Sequence, residues 1–200
     1  MASSTAKPVF VITGTSGEGK STLAKALVER VPELELAVSA TTRPQRPGEK
    51  DGRDYWFLSA DEFDRRLEGG EFLEWVELPW GEGYRSGTLW SELDRIAAEG
   101  HSPLLEIETG GALAVRDRVP AAVTIFVTAP SRAELERRLR SRATESEGEI
   151  DERLDVAERQ LELETEFQHA IVNDDLGRAL DELEGIVRRA LDGAGTIPAR

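Results

Sequence analysis

Short β-branched or apolar runs alternate along the chain with longer stretches whose apolar residues recur at helical spacing. The first pair is VFVIT at 9–13, which predicts a strand, and KSTLAKALVERV at 20–31, which predicts an amphipathic helix. The same patterns predict strands at 34–40, 55–58, 103–108, 122–128 and 170–173, and helices at 61–68, 88–99, 111–118, 131–142, 148–166 and 176–191. Ser59 and Glu62 form a capping-box pattern at the start of the second helix. Strands that alternate with helices predict an α/β domain with a mainly parallel sheet.

The composition is typical of a soluble globular chain. Two hundred residues suit one domain of moderate size, with 39% apolar and 32% charged residues. No apolar run approaches the roughly 18 residues of a membrane span, and the start MASSTAKPVF lacks the features of a signal peptide. The absence of cysteine excludes disulfides and thiolate metal sites, and two histidines, His101 and His169, are too few for a histidine-rich one. We therefore expect a cytoplasmic protein with no membrane partner.

The formal net charge of −14 argues against a nucleic-acid partner. Binding a polyanion needs an excess of lysine and arginine on one face. Acidity of this kind more often serves solubility. An anionic ligand would need a local cluster of cations, so the position of each arginine is informative.

The clearest chemical motif is GTSGEGKS at 14–21, which satisfies the phosphate-binding loop (P-loop) pattern GxxxxGK[ST]. A predicted strand precedes it and a predicted helix follows it, as the pattern requires. Glycines turn the backbone amides inward, Lys20 reaches the outer phosphates, and the Ser21 hydroxyl can bind Mg²⁺. The motif therefore predicts a site for a nucleoside triphosphate, ATP, with magnesium. The residues predicted to bind ATP here are Gly14, Thr15, Ser16, Gly17, Glu18, Gly19, Lys20, Ser21 and Thr22.

Two arginines in the next segment are candidates for binding a second phosphate. Arg43 and Arg46 lie three residues apart in a segment stiffened by prolines 44 and 47. Both guanidiniums can therefore face one phosphate, and the Tyr55 hydroxyl can donate to the same group. The alternative is a pair of solvated arginines beside a packed tyrosine.

These segments resemble the guanylate kinase family. SATTRPQRPGEKDGRDYWF at 39–57, followed by GEFLEW at 70–75, is similar to the family's nucleotide-acceptor region. Later family motifs are resembled by LLEIETGGA at 104–112, RLRSRATESEGEIDERL at 138–154 and VNDDL at 172–176, so the likeness spans nearly all of 8–190. It implies a P-loop kinase fold that transfers a phosphoryl group from MgATP to GMP, and also to dGMP, forming GDP.

The resemblance also implies how the acceptor base is read. The acid before tryptophan in GEFLEW is Glu74, whose carboxylate would accept from guanine N1 and N2, and Ser39 matches the serine that contacts O6. Glu71 and Glu77 are competing acids that could be simple surface charge. Family members usually carry Asp at two positions near the acceptor base or magnesium, which are Glu106 and Glu108 in this chain.

Two further arginines match the family's lid. Arg142 matches the lid arginine that contacts the triphosphate, and Arg153 the arginine that bridges the donor and acceptor phosphates. Arg153 could instead form surface ion pairs with acids 149, 151 and 152. Arg138 is a weaker lid candidate, and Asn173 would lie near adenine or cap a helix. The catalytic candidates are Lys20, Arg43, Arg142 and Arg153.

The stretch ELPWGEGYRSGTLW at 77–90 is about three residues longer than its family counterpart. Alignment on its GT puts Ser86 at the family's phosphate-binding tyrosine and Thr88 at its base-binding serine or threonine. Alignment on the distance from Glu74 brings Tyr84 closest to the tyrosine position. Thr88 fits better in the first alignment, and the choice between Tyr84 and Ser86 stays open.

The resemblance divides the chain into one domain at 8–192 with flexible ends at 1–7 and 193–200. The core comprises 8–38, 89–140 and 154–192, the GMP-binding subdomain 39–88 and the lid 141–153. Two other functions stay open: a guanylate kinase-like protein-binding module, and a P-loop kinase for another phosphorylated small molecule. One chain does not indicate whether the protein is a monomer or a homo-oligomer.

Overall fold

The computed structural model of the protein describes residues 7–15, 19–78, 83–141 and 147–194. In chain order its elements are β1 (Phe10–Gly14), α1 (Lys20–Arg30), β2 (Leu34–Leu36), β3 (Ala40–Thr41), β4 (Trp56–Phe57), α2 (Ala60–Glu68), β5 (Phe72–Glu77), β6 (Arg85–Leu89), α3 (Trp90–Ala98), β7 (Ser102–Glu106), α4 (Thr109–Arg118), β8 (Val123–Thr128), α5 (Arg132–Ser141), α6 (Glu147–Leu161), a 3₁₀ turn (Glu164–Glu166), β9 (His169–Val172) and α7 (Leu176–Ala194).

The central sheet is parallel throughout, with strand order β2-β7-β1-β8-β9. Strand β1 is fully buried because it has a strand on each side and helices on both faces. Phe10 and Ile12 pack with residues of α1 and α7, whereas Val11 packs with residues of α4. The continuous apolar run at 9–13 is the pattern that such a doubly covered strand requires. The predicted α/β fold with a mainly parallel sheet is confirmed.

A second, smaller sheet, which we call the acceptor sheet, has strand order β4-β3-β6-β5. Its β3 and β5 strands both pair antiparallel with β6. Helix α2 covers one face, where the Phe63 and Phe72 rings stack with centroids 4.4 Å apart. Glu74 pairs with Thr88 on β6, and Val76 pairs with Ser86. Because side chains two residues apart share a face, these four lie together on the face opposite α2.

The predicted strand at 34–40 is wrong, because this run is divided between two sheets. Its first part is β2 of the central sheet and its last residue begins β3 of the acceptor sheet. Between them the Val38 N–H donates to Glu92 Oε1 at 3.0 Å instead of to a strand. The run contains no glycine or proline, so nothing in its pattern marks the transition.

The hairpin of β5 and β6 was not predicted as strands. The aromatic, glycine-rich stretch between them favoured a turn, and a helix was predicted from residue 88. Instead Thr88 and Leu89 belong to β6, and α3 begins at Trp90. Pairing with β5 buries both residues, so tertiary contacts override the local pattern.

Several helix ends differ from the sequence-based expectation. Helix α6 ends at Leu161 and a separate 3₁₀ turn follows, where one helix was predicted at 148–166. Of the Ser59–Glu62 capping box only one half forms: the Glu62 N–H donates to Ser59 Oγ at 3.1 Å, whereas the Glu62 carboxylate pairs with arginines. Within the described ranges, no helix is both long and apolar enough to cross a membrane.

We expect Gly14→Ala to lower the free energy of unfolding by about 3 kcal/mol. Gly14 has φ 141°, and an added Cβ would overlap the Val127 carbonyl oxygen and lie 2.9 Å from its carbon. Gly48→Ala is the control, because Gly48 also has positive φ (89°) but has nothing within 4 Å of an added Cβ. It should cost about 1 kcal/mol from the backbone alone. Equal losses in urea unfolding would show that the contact with β8 is unimportant.

Candidate active site

The P-loop leaves the carboxyl end of β1 and enters α1. Gly19 adopts the left-handed conformation at the helix start (φ 78°, ψ 20°), no side chain caps this terminus, and no acidic residue lies in the first turn. Lys20 Nζ donates to the carbonyls of Gly14 and Thr15 at 2.8 and 2.7 Å. An uncapped helix N-terminus beside a lysine is suited to phosphate groups. Thr22 follows in the exposed first turn.

Ser21 meets an acid from the neighbouring strand. Its Oγ donates to Glu106 Oε2 at 2.9 Å. Glu106 is the last residue of β7 and pairs in register with Ile12 of β1. The Ser21 and Glu106 side chains therefore lie at the same edge of the sheet. Burial raises the pKa of the Glu106 carboxyl, while the Lys20 charge and the Ser21 hydrogen bond oppose that rise. A hydroxyl and a carboxylate are hard oxygen ligands of the kind that Mg²⁺ prefers.

Asn173 lies beside Gly19 of the P-loop. It follows β9 and is buried, with its main-chain N–H donating to the Thr128 carbonyl at 2.8 Å. A Cβ added at Gly19 would lie 3.0 Å from Asn173 Nδ2. Arg138 Nη2 donates to the Asn173 carbonyl at 2.9 Å, and its Nε donates to Glu134 Oε1 at 2.7 Å. The structure therefore brings two predicted ATP-binding residues next to the loop.

Some predicted residues lie outside the described residues. These are Ser16, Gly17 and Glu18 of the P-loop and Arg142 of the lid. Arg153 lies within α6, but its side chain is outside the described part.

Arg43 forms the centre of the predicted acceptor-phosphate group. Its guanidinium lies over the Tyr55 ring, 4.6 Å from the ring centroid. Burial and the nearby Glu106 carboxylate raise the pKa of the Tyr55 phenol, whereas Arg43 lowers it. The structure thus brings Arg43 and Tyr55 together.

Glu49 is a member of this group that the sequence analysis missed. Its carboxylate accepts from Arg43 Nη1 and Nη2 at 2.8 and 2.5 Å, and from the Arg46 main-chain N–H at 2.8 Å. The Arg43 hydrogen bond is the main reason why the pKa of Glu49 falls to about 2. The Arg46 side chain is exposed. The sequence does contain a signal for this pairing, which is the acid within PGEK, three residues after Arg46.

Glu74, the predicted guanine reader, is a buried acid. It is 2% exposed, and Thr88 Oγ1 donates to its Oε1 at 2.8 Å. Burial raises the pKa of Glu74 to about 7; the Thr88 hydrogen bonds oppose the rise and the Glu108 charge adds to it. Glu108 precedes the first residue of α4 and is half-buried. Ser39 is also half-buried, and its carbonyl accepts from the Trp56 N–H at 2.9 Å.

Ser86 and Tyr84 have different places in the hairpin. Ser86 is in β6 on the same face as Glu74 and Thr88, and its Oγ donates to the Ala40 carbonyl at 3.2 Å. The Tyr84 carbonyl accepts from the Leu78 N–H at 2.7 Å, so Tyr84 closes the hairpin beyond the strand. The register therefore agrees with the alignment on GT, and either side chain remains a candidate for phosphate binding.

Residues 6–190 match the family model described as guanylate kinase. The chain belongs to the guanylate kinase family. Two curated guanylate kinases illustrate the similarity: that of Rubrobacter xylanophilus is 47% identical over 185 residues, covering 92% of this chain and 95% of the relative, and that of Thermosynechococcus vestitus is 48% identical over 186 residues, covering 92% and 96%. The crystal structure of guanylate kinase from Anaplasma phagocytophilum has a TM-score of 0.75 at 29% identity, covering 93% of this chain and 87% of that one.

A second acidic group in this guanylate kinase family member lies at the opposite edge of the central sheet. Glu35, Glu99 and His101 are close enough together to hold a metal ion. However, Arg95 already pairs with Glu35 at 2.6 Å and with Glu99 at 3.0 Å. An arginine therefore supplies the positive charge that a metal ion would bring, and the group is a surface ion-pair network.

The raised pKa of Glu74 predicts how stability depends on pH. A pKa of about 7 when folded, against the ordinary 4.5, corresponds to roughly 3 kcal/mol. Because the protonated form is favoured in the fold, this stability is fully present below pH 4.5 and is lost as the pH rises through 7. Relative to Glu74→Gln, which does not titrate, the parent should lose about that amount between these values in urea unfolding. A constant difference between the two proteins would contradict the burial of this acid.

Proposed function

We propose that the chain transfers the γ-phosphoryl group of ATP to GMP, and also to dGMP, forming ADP and the nucleoside diphosphate. The end of strand β7 supports this most directly, because it joins the two halves of the site. Glu106 at its end accepts from Ser21 of the P-loop. Helix α4 begins three residues later, at Thr109, and its Gly111 lies against the Glu74 carboxylate of the acceptor sheet. A triphosphate on the P-loop and a nucleotide on the acceptor sheet would therefore meet.

Transfer forms one P–O bond and breaks another. An oxygen of the ionised GMP phosphate attacks the γ-phosphorus, and ADP leaves with the electrons of the broken bond. The attacking oxygen already carries charge, so no side chain has to act as a base. Positioning and cations supply the catalysis. Lys20 neutralises the donor phosphates, and Arg43 with Arg46 and Tyr55 holds the acceptor phosphate.

Magnesium fits the pair formed by Ser21 and Glu106. Their oxygens lie 2.9 Å apart at the mouth of the P-loop, and Mg²⁺ typically takes one or two protein oxygens beside phosphate oxygens and water. When bound, it would neutralise charge on the β- and γ-phosphates. Its presence would also favour the ionised Glu106, whose pKa burial raises.

Guanine is selected by Glu74, with Thr88 and Ser39 beside it. An ionised carboxylate accepts from guanine N1 and N2, whereas adenine would leave it unpaired and desolvated. Glu74 is only 2% exposed. Guanine can therefore reach it only if the site first opens, which makes a hinged opening part of the cycle.

The remaining predicted residues complete the donor side. Asn173 lies near adenine, Arg138 and Arg142 contact the triphosphate, and Arg153 bridges the two phosphates.

A coupled assay with MgATP and a panel of acceptors tests this function. The panel contains GMP, dGMP, AMP, CMP, UMP and ribose 5-phosphate at equal concentration. We expect turnover with the two guanine nucleotides at least about 100-fold above the others, because a buried polar group left unpaired is costly. Preference for another acceptor would instead support a kinase that acts on a different phosphorylated small molecule. The absence of any turnover would support the protein-binding module.

The Lys20→Ala variant tests whether turnover depends on the P-loop. The Lys20 ammonium donates to two carbonyls of the loop and is half-buried instead of being part of the core, so its loss should leave the fold intact. Turnover of GMP should fall by about 100-fold or more, because the charge on the outer phosphates is no longer neutralised. An unchanged rate with an unchanged circular dichroism spectrum would remove Lys20 from the mechanism.

A further inference from the structure

The first turn of helix α4 touches the acid that reads the base. Gly111, the third residue of α4, is buried. A Cβ added there would overlap Glu74 Oε2 and lie 3.0 Å from Glu74 Cδ. At the preceding glycine, Gly110, an added Cβ would make only an ordinary contact of 3.5 Å with Val76 Cγ1. Of these two consecutive glycines, only Gly111 lies so close to another residue, Glu74, that a side chain would overlap it.

The Glu74 carboxylate is held from both sides. Thr88 Oγ1 donates to Oε1 at 2.8 Å, and Oε2 lies against the backbone of α4 at Gly111. Glu74 is 2% exposed, so the protein covers its carboxylate almost completely. A methyl group at position 111 would therefore displace the carboxylate instead of being accommodated beside it.

The far end of α4 fixes the strand that carries Glu74. Arg118 Nη1 donates to the carbonyls of Phe72 and Leu73 at 3.2 and 2.6 Å. The pairing of β5 with β6 shifts register between Phe72 and Glu74, so these carbonyls belong to the irregular part of the strand. Arg118 therefore stabilises the irregular part of β5 directly before Glu74. Helix α4 thus contacts both the main chain of β5 and the Glu74 carboxylate.

We propose that Gly111 is a specificity-determining positioning residue, whose missing side chain provides the space that sets the Glu74 carboxylate in place for the acceptor base. Gly111 acts through Glu74 and does not contact the substrate itself. Because this role concerns how Glu74 meets guanine, it rests on the proposed function.

If Gly111 mattered only for the stability of helix α4, a different result would be expected. Glycine weakens a helix relative to alanine at either position. If only the helix mattered, alanine at 110 and alanine at 111 would have similar effects. The contact with Glu74 predicts that the two substitutions differ.

The test compares Gly111→Ala with Gly110→Ala in the full chain. We expect Gly111→Ala to raise the KM for GMP by about tenfold or more and to reduce the GMP-over-AMP preference by a similar factor. The KM for ATP should stay within about twofold, because the three atoms nearest an added Cβ at Gly111 all belong to Glu74 of the acceptor sheet, and Gly110→Ala should leave every constant near the parent values. Equal effects of the two substitutions, or an unchanged KM for GMP in Gly111→Ala, would overturn the role of Gly111.

A double-mutant cycle with Glu74→Asp separates displacement from general damage. In aspartate the carboxylate carbon would stand near the present Glu74 Cγ, 3.6 Å from a Cβ at position 111. The shorter acid therefore fits beside alanine, so Glu74→Asp should cost clearly less in kcat/KM for GMP in the Gly111→Ala background than in the parent. Equal costs would show that the two positions are not coupled. If the parent itself fails to phosphorylate GMP, the proposed function fails instead, which is a separate outcome.

Discussion

The parallel pairing of β1 with β7 and β8 is the constraint on which the site depends. Parallel strands place their carboxyl ends at one edge of a sheet, which is where open α/β sheets bind ligands. The P-loop leaves β1 at this edge and Glu106 ends β7 there, with Ile12 and Glu106 in register. Gly14 permits the approach of β1 to Val127 that a side chain would prevent. The donor half of the site follows from this packing.

The acceptor half depends on a balance of charge in a strongly acidic protein. Three carboxylates, those of Glu74, Glu106 and Glu108, lie in or beside the proposed nucleotide site. The Glu108 charge raises the pKa of both Glu74 and Glu106. Arg43 provides an opposing charge, and it is paired with Glu49. Because both side chains are only partly exposed, the pair orients the guanidinium as well as neutralising it. An acceptor phosphate therefore meets an arginine that is already in place.

The sequence predicted the central sheet well, because its three middle strands, β7, β1 and β8, are buried on both faces and are rich in apolar residues. Of the acceptor sheet it predicted only β4 as a separate strand, at 55–58. Ala40 and Thr41 follow β2 without a glycine or proline, and Thr88 and Leu89 acquire strand geometry only by pairing with β5. The site motifs were readable because P-loop chemistry fixes residue types at set spacings. Glu49 and Gly111 were missed because their importance lies in contacts with Arg43 and Glu74 that no local pattern reveals.

A crystal structure with GMP and a non-hydrolysable ATP analogue tests the central claim most directly. We predict that the triphosphate lies on the P-loop, that the GMP phosphate contacts Arg43 and Tyr55, and that guanine N1 and N2 donate to Glu74 at about 2.9 Å. Guanine bound away from Glu74, or a GMP phosphate that does not face the γ-phosphate, would contradict the account.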